Sequence, residues 1–466
     1  MIPVTGVSGA RIAVLGLGRS GLSAMRSLKA GGADVLCWDD SEEARAKAGG
    51  EGATLHDLSV PGAWNGVAEL VLSPGIPHLY PQPNAHVAAA MAAGIPVDND
   101  VGLLFRSLAI AGRGGHRKFP RIVAVTGSNG KSTTSALIHH CLVAAGRESQ
   151  LAGNIGRGVL DIESPGKDGT IVLELSSYQV ELARTLAPDV AVFTNFGPDH
   201  LDRHGGLGGY FAAKQRLFLE GWPRVAVIGI DETEGKFLAN RLVGESRESQ
   251  VIRVTADATS AGKGWSITAR DGILTELQDG QPAASFDLGE MQGLPGVHNH
   301  QNACAAFAVL RVLEVSSAAI EDGMRRFEGL PHRGQVVAKW NGVTFVNDSK
   351  ATNVDAAARS LALFPRVRWI VGGQLKDDGI AALQSSLEPV VKAYAIGEQA
   401  MKVVRDLRGV EVEVCSDMAT AVQSAAKESE PGDTVLLAPA AASFDAYGSF
   451  EERGEDFMAE VRKATR

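Results

Sequence analysis

Short apolar runs rich in Val, Ile and Leu alternate with stretches of helical period along nearly the whole chain. That alternation predicts an α/β protein built on parallel sheets. Residues 11–15 read as a strand, Gly16-Leu17-Gly18-Arg19-Ser20-Gly21 as a tight turn, and Leu22, Met25 and Leu28 as one helical face. Residues 34–38 and 69–72 continue the strand series, and the latter runs into Ser73-Pro-Gly-Ile-Pro77. In the middle of the chain, residues 122–126 form an apolar β-branched strand. It is followed by Gly127-Ser-Asn-Gly130-Lys131-Ser132-Thr133-Thr134 and a helix through Ala136, Leu137 and Ile138. Strands follow at 170–179 and 189–193, then a helix over 210–218, a β-rich region at 225–290, and a helix opening near His298 that runs through Leu310. Strands at 343–346, 368–371, 392–396 and 433–437 alternate with helical segments in the last third.

Two interruptions divide this pattern. Residues 111–120 are Gly-rich and basic, lack apolar period and end in Pro120; Leu330-Pro-His-Arg-Gly334 marks a second break. At about 150 residues per domain, a chain of 466 residues predicts three domains: 1–110, 111–330 and 331–466. The first and last read as Rossmann-like and the central one as a P-loop ATPase-like α/β domain.

Composition narrows the function classes. Apolar content of 45% supports a sizeable core, and a net charge of -9 without a Lys/Arg run argues against nucleic acid or an anionic membrane as the main partner. Cys37, Cys141, Cys304 and Cys415 lie far apart, which predicts buried free thiols in a reducing cytosol. No leader pattern opens the sequence, and no apolar run reaches the ~18 residues of a membrane span.

The chemistry centres on the stretch 126–134. Glycines let backbone N–H groups close on an anion, and the helix N-terminus adds partial positive charge. Lys131 is placed to reach terminal phosphates, and Ser132 to offer a hydroxyl to Mg²⁺. The strict G-x-x-x-x-G-K-[ST] pattern fails, because Val125 stands at its first Gly. The 16–21 turn with Asp39 and Asp40 further on matches a G-x-G-x-x-G unit, which alone suggests a dinucleotide; the two acids could equally cap a strand end.

Glu174 lies in an apolar run, where a metal ion or a salt bridge would offset the cost of burial. His200 ends a strand beside the expected phosphates. Lys214 shares a helical face with Phe211 and Phe218, so either its stem covers apolar surface or its amine is modified. A neutral amine adds CO₂ to form a carbamate. At a pKa near 10.4 only about one amine in 10³ is neutral at pH 7.4, so that route requires burial.

Several of these residues carry a resemblance to the Mur ligases, the ATP-dependent amide-forming enzymes of peptidoglycan synthesis. They are Thr126–Ser132, Glu174, Asp199-His200, Lys214, His298-Asn299 with Asn302, Pro331-His332-Arg333, Asp348-Ser-Lys-Ala-Thr-Asn353, Leu437-Ala-Pro-Ala-Ala-Ala-Ser443 and Phe450-Glu-Glu-Arg-Gly454. The resemblance spans essentially the whole length and implies a cytoplasmic ligase, expected to be a monomer. Its substrates would be UDP-N-acetylmuramoyl-L-alanine, D-glutamate and ATP, joined through an acyl phosphate.

Position by position, the resemblance gives Gly18, Arg19, Ser20, Asp39, Asp40, Ser73 and Asn154 to the UDP substrate. It gives Gly127, Ser128, Asn129, Gly130, Lys131, Ser132, Thr133, Asn299, Asn302, Arg333 and Asp348 to ATP. Ser132, Glu174, His200 and carbamylated Lys214 would hold two Mg²⁺, and Lys350 would sit by the reacting phosphate. Thr352, Lys376, Ser443 and Phe450 would receive D-glutamate. Asp40-Ser41 departs from the Thr-Arg that family members carry there and puts an acid near the uracil. Rival readings are a folylpolyglutamate synthase-like ligase, which lacks the 16–21 unit, an NAD-linked oxidoreductase, and a nucleotide-binding switch.

Overall fold

The computed structural model describes residues 1–112, 121–164, 166, 168–245, 249–256, 264–291, 293–294, 296–375 and 379–465. It is α/β, as the alternation predicts, with three parallel-dominated sheets in two compact units, Met1–Phe327 and Glu328–Arg466.

The first sheet comprises β1 (Arg11–Leu15), β2 (Asp34–Trp38), β3 (Thr54–Leu55), β4 (Val67–Leu72) and β5 (Val97–Asp98). It is parallel throughout, in the order β3-β2-β1-β4-β5. The order reverses between β1 and β4, so the loops after these strands open a crevice at their carboxyl ends. Gly21 is required there by packing: a Cβ on it would lie 1.7 Å from the Gly16 carbonyl oxygen.

The second sheet comprises β6 (Arg121–Thr126), β7 (Ser149–Gly153), β8 (Thr170–Glu174), β9 (Val190–Phe193), β10 (Val225–Gly229), β11 (Gln250–Thr255), β12 (Trp265–Arg270), β13 (Ile273–Gln278) and β14 (Gln281–Asp287). Its order is β14-β13-β12-β11-β10-β9-β6-β8-β7, antiparallel only where β12, β13 and β14 meet. All five residues of β8 are buried, as expected of a strand covered on both faces, but the strand expected over 170–179 stops at Glu174, because a Ser176–Gln179 capping box starts the helix Ser177–Leu182. The register sets Val125 and Gly153 beside Glu174, and Thr126 beside Phe193. The loops after β6, β7, β8 and β9 therefore leave the same edge of the sheet, about 5 Å apart.

The second unit carries β15 (Gln335–Trp340), β16 (Val343–Asn347), β17 (Val367–Gly372), β18 (Val390–Ile396), β19 (Val412–Val414) and β20 (Thr434–Leu437). Their order is β15-β16-β20-β17-β18-β19, with only β15 antiparallel. Its core lies on both faces of the sheet, around Trp369 and Val371 on one side and Phe345 and Tyr394 on the other.

The structure departs from the sequence pattern in places. Ala111 and Gly112, expected in a linker, end the helix Asp100–Gly112, and 113–120 lie outside the described residues. The β-rich 225–290 region also holds the helix Thr233–Gly244, whose Leu238, Ala239 and Leu242 are buried at helical spacing. All four cysteines are buried free thiols. Among the described residues no helix is long and apolar enough to cross a membrane.

Candidate functional site

The loop after β6 is a backbone cradle leading into the helix Lys131–Ala144. Gly127 (φ +140°) and Gly130 (φ +78°) take conformations that L side chains rarely adopt. Close neighbours also exclude a side chain at both. A Cβ on Gly127 would fall 2.0 Å from Thr194 Oγ1, and one on Gly130 would fall 2.0 Å from Asn302 Oδ1. The loop is held from the β9 side: Ser128 N–H donates to the Asn195 carbonyl (2.9 Å), Asn129 N–H to Asn195 Oδ1 (2.8 Å), and Thr194 Oγ1 to the Asn129 carbonyl (2.6 Å). The helix Val297–Val312 supports it through Asn302, whose Oδ1 accepts from Thr134 Oγ1 (3.3 Å) and whose Nδ2 donates to Asn299 Oδ1 (3.0 Å). Ser132 is buried and Thr133 half-buried in the first turn.

Two lysine amines converge on this loop. Lys131 Nζ donates to the carbonyls of Gly127 (3.0 Å) and Ser128 (2.8 Å), and Lys214 Nζ donates to the same Gly127 carbonyl (2.7 Å). Lys214 is 1% exposed, on the helix Leu207–Leu219, and its Nζ sits 4.3 Å from the centre of the Tyr210 ring. Burial, and then the neighbouring Lys131 charge, hold its pKa well below the ordinary lysine range, against a weaker pull from Asp199. Burial at the loop thus disfavours the charged form of this amine.

Glu174 supplies the complementary group. It is 1% exposed; one oxygen accepts from Asn154 Nδ2 (3.1 Å) and the other, Oε2, is buried and finds no hydrogen-bond partner among the described residues. A buried carboxylate oxygen left open beside a phosphate cradle fits a divalent cation. His200 (φ +52°) follows β9, with Nε2 3.4 Å from Asp199 Oδ2 and its ring 5.0 Å from Tyr178. Lys131, Lys214, Asn154, Asp199, His200, Tyr178 and Tyr210 line a cavity of about 270 Å³ that also reaches Pro74 and Gly75. Among the described residues no group of three or more His, Cys, Asp or Glu gathers as a metal site. Of the residues expected to hold metal, His200 and Lys214 line this cavity, together with Asp199, while Glu174 and Ser132 are buried on β8 and at the start of the helix Lys131–Ala144.

Pro74 also borders a second cavity, of about 350 Å³, at the carboxyl ends of β1 and β4. Gly18, Arg19, Ser20, Asp39, Asp40 and Ser73 all line it, so these six are brought together. Ser73 Oγ donates to the Gly16 carbonyl (2.8 Å), and Asp39 accepts from Leu17 N–H (2.6 Å) and Ser41 N–H (2.8 Å). Asp40 lies 3.2 Å from His86 Nε2, and Arg19 Nη2 donates to the Gly153 carbonyl (3.1 Å) beside Asn154. Asp100 escaped the sequence reading: it is 3% exposed, its Oδ1 accepts from Val101 N–H (3.0 Å), and burial pushes its pKa up to about 6.

In the second unit, Asp348 and Lys350 lie on the loop after β16, which also carries Thr352. The Asp348 carboxyl accepts from the Ser360 hydroxyl; burial raises its pKa, against that bond and the nearby Arg333. Lys350 Nζ stands 4.0 Å over the Phe450 ring, and Ser443 is buried on the loop after β20. Thr352, Ser443 and Phe450 thus belong to segments at one edge of this sheet, whereas Lys376 lies outside the described residues.

Sequence reasoning missed Thr194 and Asn195, which hold the phosphate loop, and Tyr210, whose hydroxyl lies 3.2 Å from Ser128 Oγ. Their signal was present, since Thr194-Asn195 directly follows a strand that runs beside β6.

Comparison with known proteins agrees with this geometry. Residues 125–310 match the Mur ligase middle domain, and 332–441 the Mur ligase glutamate ligase domain. A protein of Ruegeria pomeroyi named UDP-N-acetylmuramoylalanine–D-glutamate ligase is 62% identical over 464 residues, covering 99% of both chains. One of the same name from Dinoroseobacter shibae is 61% identical, covering 99% of this chain and all of that one. Among solved structures, a MurF ligase of Thermotoga maritima in complex with ADP superposes with a TM-score of 0.59 at 18% identity, over 98% of this chain and 96% of that one. The UDP-N-acetylmuramate–alanine ligase of the same organism gives 0.58 at 17%, over 97% and 99%. At such identities these two structures speak for the fold alone.

Proposed function

The chain belongs to the Mur ligase family, and from that premise we propose that it joins D-glutamate to UDP-N-acetylmuramoyl-L-alanine, with ATP cleaved to ADP and phosphate. The observation that carries this is full-length identity of about 60% to ligases of that name. It coincides with a phosphate cradle in which Lys131 and Lys214 meet on the Gly127 carbonyl.

A carboxylate is a poor electrophile. The alanyl carboxylate oxygen takes the γ-phosphoryl group of ATP, giving an acyl phosphate and ADP. The amine of D-glutamate attacks the acyl carbon, the C–O bond to phosphate breaks, and the nitrogen loses a proton as the amide forms. In this reading Gly127–Ser132 cradle the ATP phosphates with their N–H groups, and Lys131 neutralises the charge that spreads during transfer. Asn299, Asn302, Arg333 and Asp348 serve the rest of ATP, and Lys350 the reacting phosphate.

Ser132, Glu174, His200 and Lys214 as its carbamate would hold two Mg²⁺, which when bound neutralise the phosphate oxygens. The open Glu174 oxygen and the buried amine of Lys214 support that assignment. Gly18, Arg19, Ser20, Asp39, Asp40 and Ser73 take the UDP end, with Asn154 toward the sugar; Thr352, Lys376, Ser443 and Phe450 take D-glutamate. Residues 1–110 then serve the UDP substrate, 111–330 ATP, and 331–466 ATP and the amino acid, in a cytoplasmic monomer. The test is phosphate release from ATP that requires both UDP-N-acetylmuramoyl-L-alanine and D-glutamate.

A further inference from the structure

The second unit holds a buried cation that the reaction as described leaves unused. Arg453, on the helix Phe450–Ala464, is 1% exposed. Its Nε donates to Ser349 Oγ (3.0 Å), and its Nη2 to the carbonyls of Ser349 (2.9 Å) and Ala441 (3.1 Å). Its Nη1 donates to the Ala442 carbonyl (3.2 Å). Among the described residues no carboxylate forms an ion pair with it. Burial lowers its pKa to about 10, opposed by the more distant Asp445 charge. A guanidinium taken out of water onto uncharged partners is costly to keep, so its place asks for a role.

Its four bonds join three segments. Ser349 belongs to the loop after β16, next to Lys350 and three residues before Thr352. Ala441 and Ala442 belong to the loop after β20, immediately before Ser443. The third segment is the start of the arginine's own helix, where Ser349 Oγ donates to the Phe450 carbonyl (2.8 Å). The loop after β17 is drawn in as well. Gln374 and Ala442 exchange N–H···O bonds of 2.9 and 3.1 Å, and Gly373 approaches so closely that a Cβ there would lie 2.4 Å from the Ala442 carbonyl and 3.1 Å from Arg453 Nη1.

We propose that Arg453 is a positioning residue for the amino-acid acceptor: its planar fork fixes the loops carrying Thr352, Ser443 and Phe450 in one arrangement, and its buried charge favours a dicarboxylic acid there. The inference rests on the ligase reading above and deepens it at the acceptor site. A planar five-donor group is what such a clamp needs; an ammonium on a flexible stem keeps the charge but cannot span the same carbonyls.

The test is steady-state phosphate release with each of the three substrates varied in turn, for wild type, Arg453→Lys, Arg453→Met and Ser349→Ala, alongside thermal melting. The expected result is a D-glutamate KM raised on the order of 10- to 100-fold in Arg453→Met, the size of effect that loss of a supporting hydrogen-bond shell has at metal sites. Arg453→Lys should show a smaller rise and Ser349→Ala the smallest; because Ser349 lies between Asp348 and Lys350, smaller changes in the ATP KM and in kcat accompany them, while the KM for the UDP substrate stays near wild type. A merely structural role would instead move all three KM values and kcat together, and that result overturns the proposal. Should Arg453→Met fail to fold, the other two variants decide: an unchanged D-glutamate KM in both refutes the clamp. A wild-type enzyme silent with D-glutamate sinks the ligase reading and this proposal with it, whereas an active wild type with a normal Arg453→Lys sinks the clamp alone.

Discussion

Gly130→Ala probes the close approach that shapes the proposed phosphate cradle. Gly130 is the left-handed residue (φ +78°) that turns the loop into its helix, and a Cβ there would lie 2.0 Å from Asn302 Oδ1. The left-handed conformation costs an L residue ~1–2 kcal/mol. The clash must also displace the Asn302 amide, which is 3% exposed and makes the bonds to Thr134 and Asn299. At about 1 kcal/mol per net hydrogen bond, losing those two brings the total to about 3–4 kcal/mol. In an Asn302→Ala background the clashing oxygen and both bonds are already gone, so the same Gly130→Ala change should cost only the backbone part. The assay is urea unfolding of the four proteins of this double-mutant cycle, with a coupling of about 2 kcal/mol expected. Equal costs in both backgrounds, or a Gly130→Ala protein that unfolds like wild type, would refute the contact between the loop and the Asn302 helix.

Further expectations follow from the same site. Lys131→Met should abolish turnover while leaving binding of the UDP substrate, measured by calorimetry, close to wild type; wild-type-like turnover would count against the phosphate-loop assignment. Lys214 has a folded pKa below its unfolded one, so the unmodified folded state binds fewer protons and stability gains from this group as pH rises toward ~10.4. Lys214→Met should flatten that slope in urea titrations from pH 7 to 10 and lose turnover, while wild-type turnover should fall in CO₂-depleted buffer; indifference to CO₂ would argue against the carbamate. Asp98 is fully buried, and its pKa is pushed up to about 6 mainly by burial. Its carboxyl therefore binds a proton in the folded state that the unfolded chain has released between pH ~3.9 and about 6. Ionisation thus costs stability as pH rises through that window, and Asp98→Asn should be more favourable relative to wild type at pH 7.5 than at pH 4.5. An equal difference at both pH values would refute the assignment.

The elements legible in the sequence are those whose side chains report one environment. The buried strands β6, β8 and β9 read as unbroken apolar runs, and the cradle was visible because Gly, Lys and Ser stand in fixed order between strand and helix. β7 carried no such signal: it is an edge strand, Ser-Gln-Leu-Ala-Gly, with three of its five residues only half-buried. The helix Glu42–Gly50 was equally silent. It buries only Ala48, so its start is set by the Ser41 cap and its acidic first turn rather than by an apolar stripe. Within the site, Lys214 was singled out by its aromatic neighbours, but its complete burial was not readable from spacing, because lysine stems so often lie over apolar surface with the amine in water. Asp100 was missed, and Arg453 was given no role, for a related reason. Each is buried by segments distant in sequence, and Arg453 is held by Ser349, 104 residues away; no local period encodes such surroundings.

The central claim is the reaction itself, and the most direct measurement is phosphate release from ATP in the presence of UDP-N-acetylmuramoyl-L-alanine, with D-glutamate, L-glutamate, L-lysine or meso-diaminopimelate added in turn. The account predicts release with D-glutamate alone, with an amide-linked product of matching stoichiometry. Release that is equal without any amine, or that follows one of the other three acceptors, would contradict it.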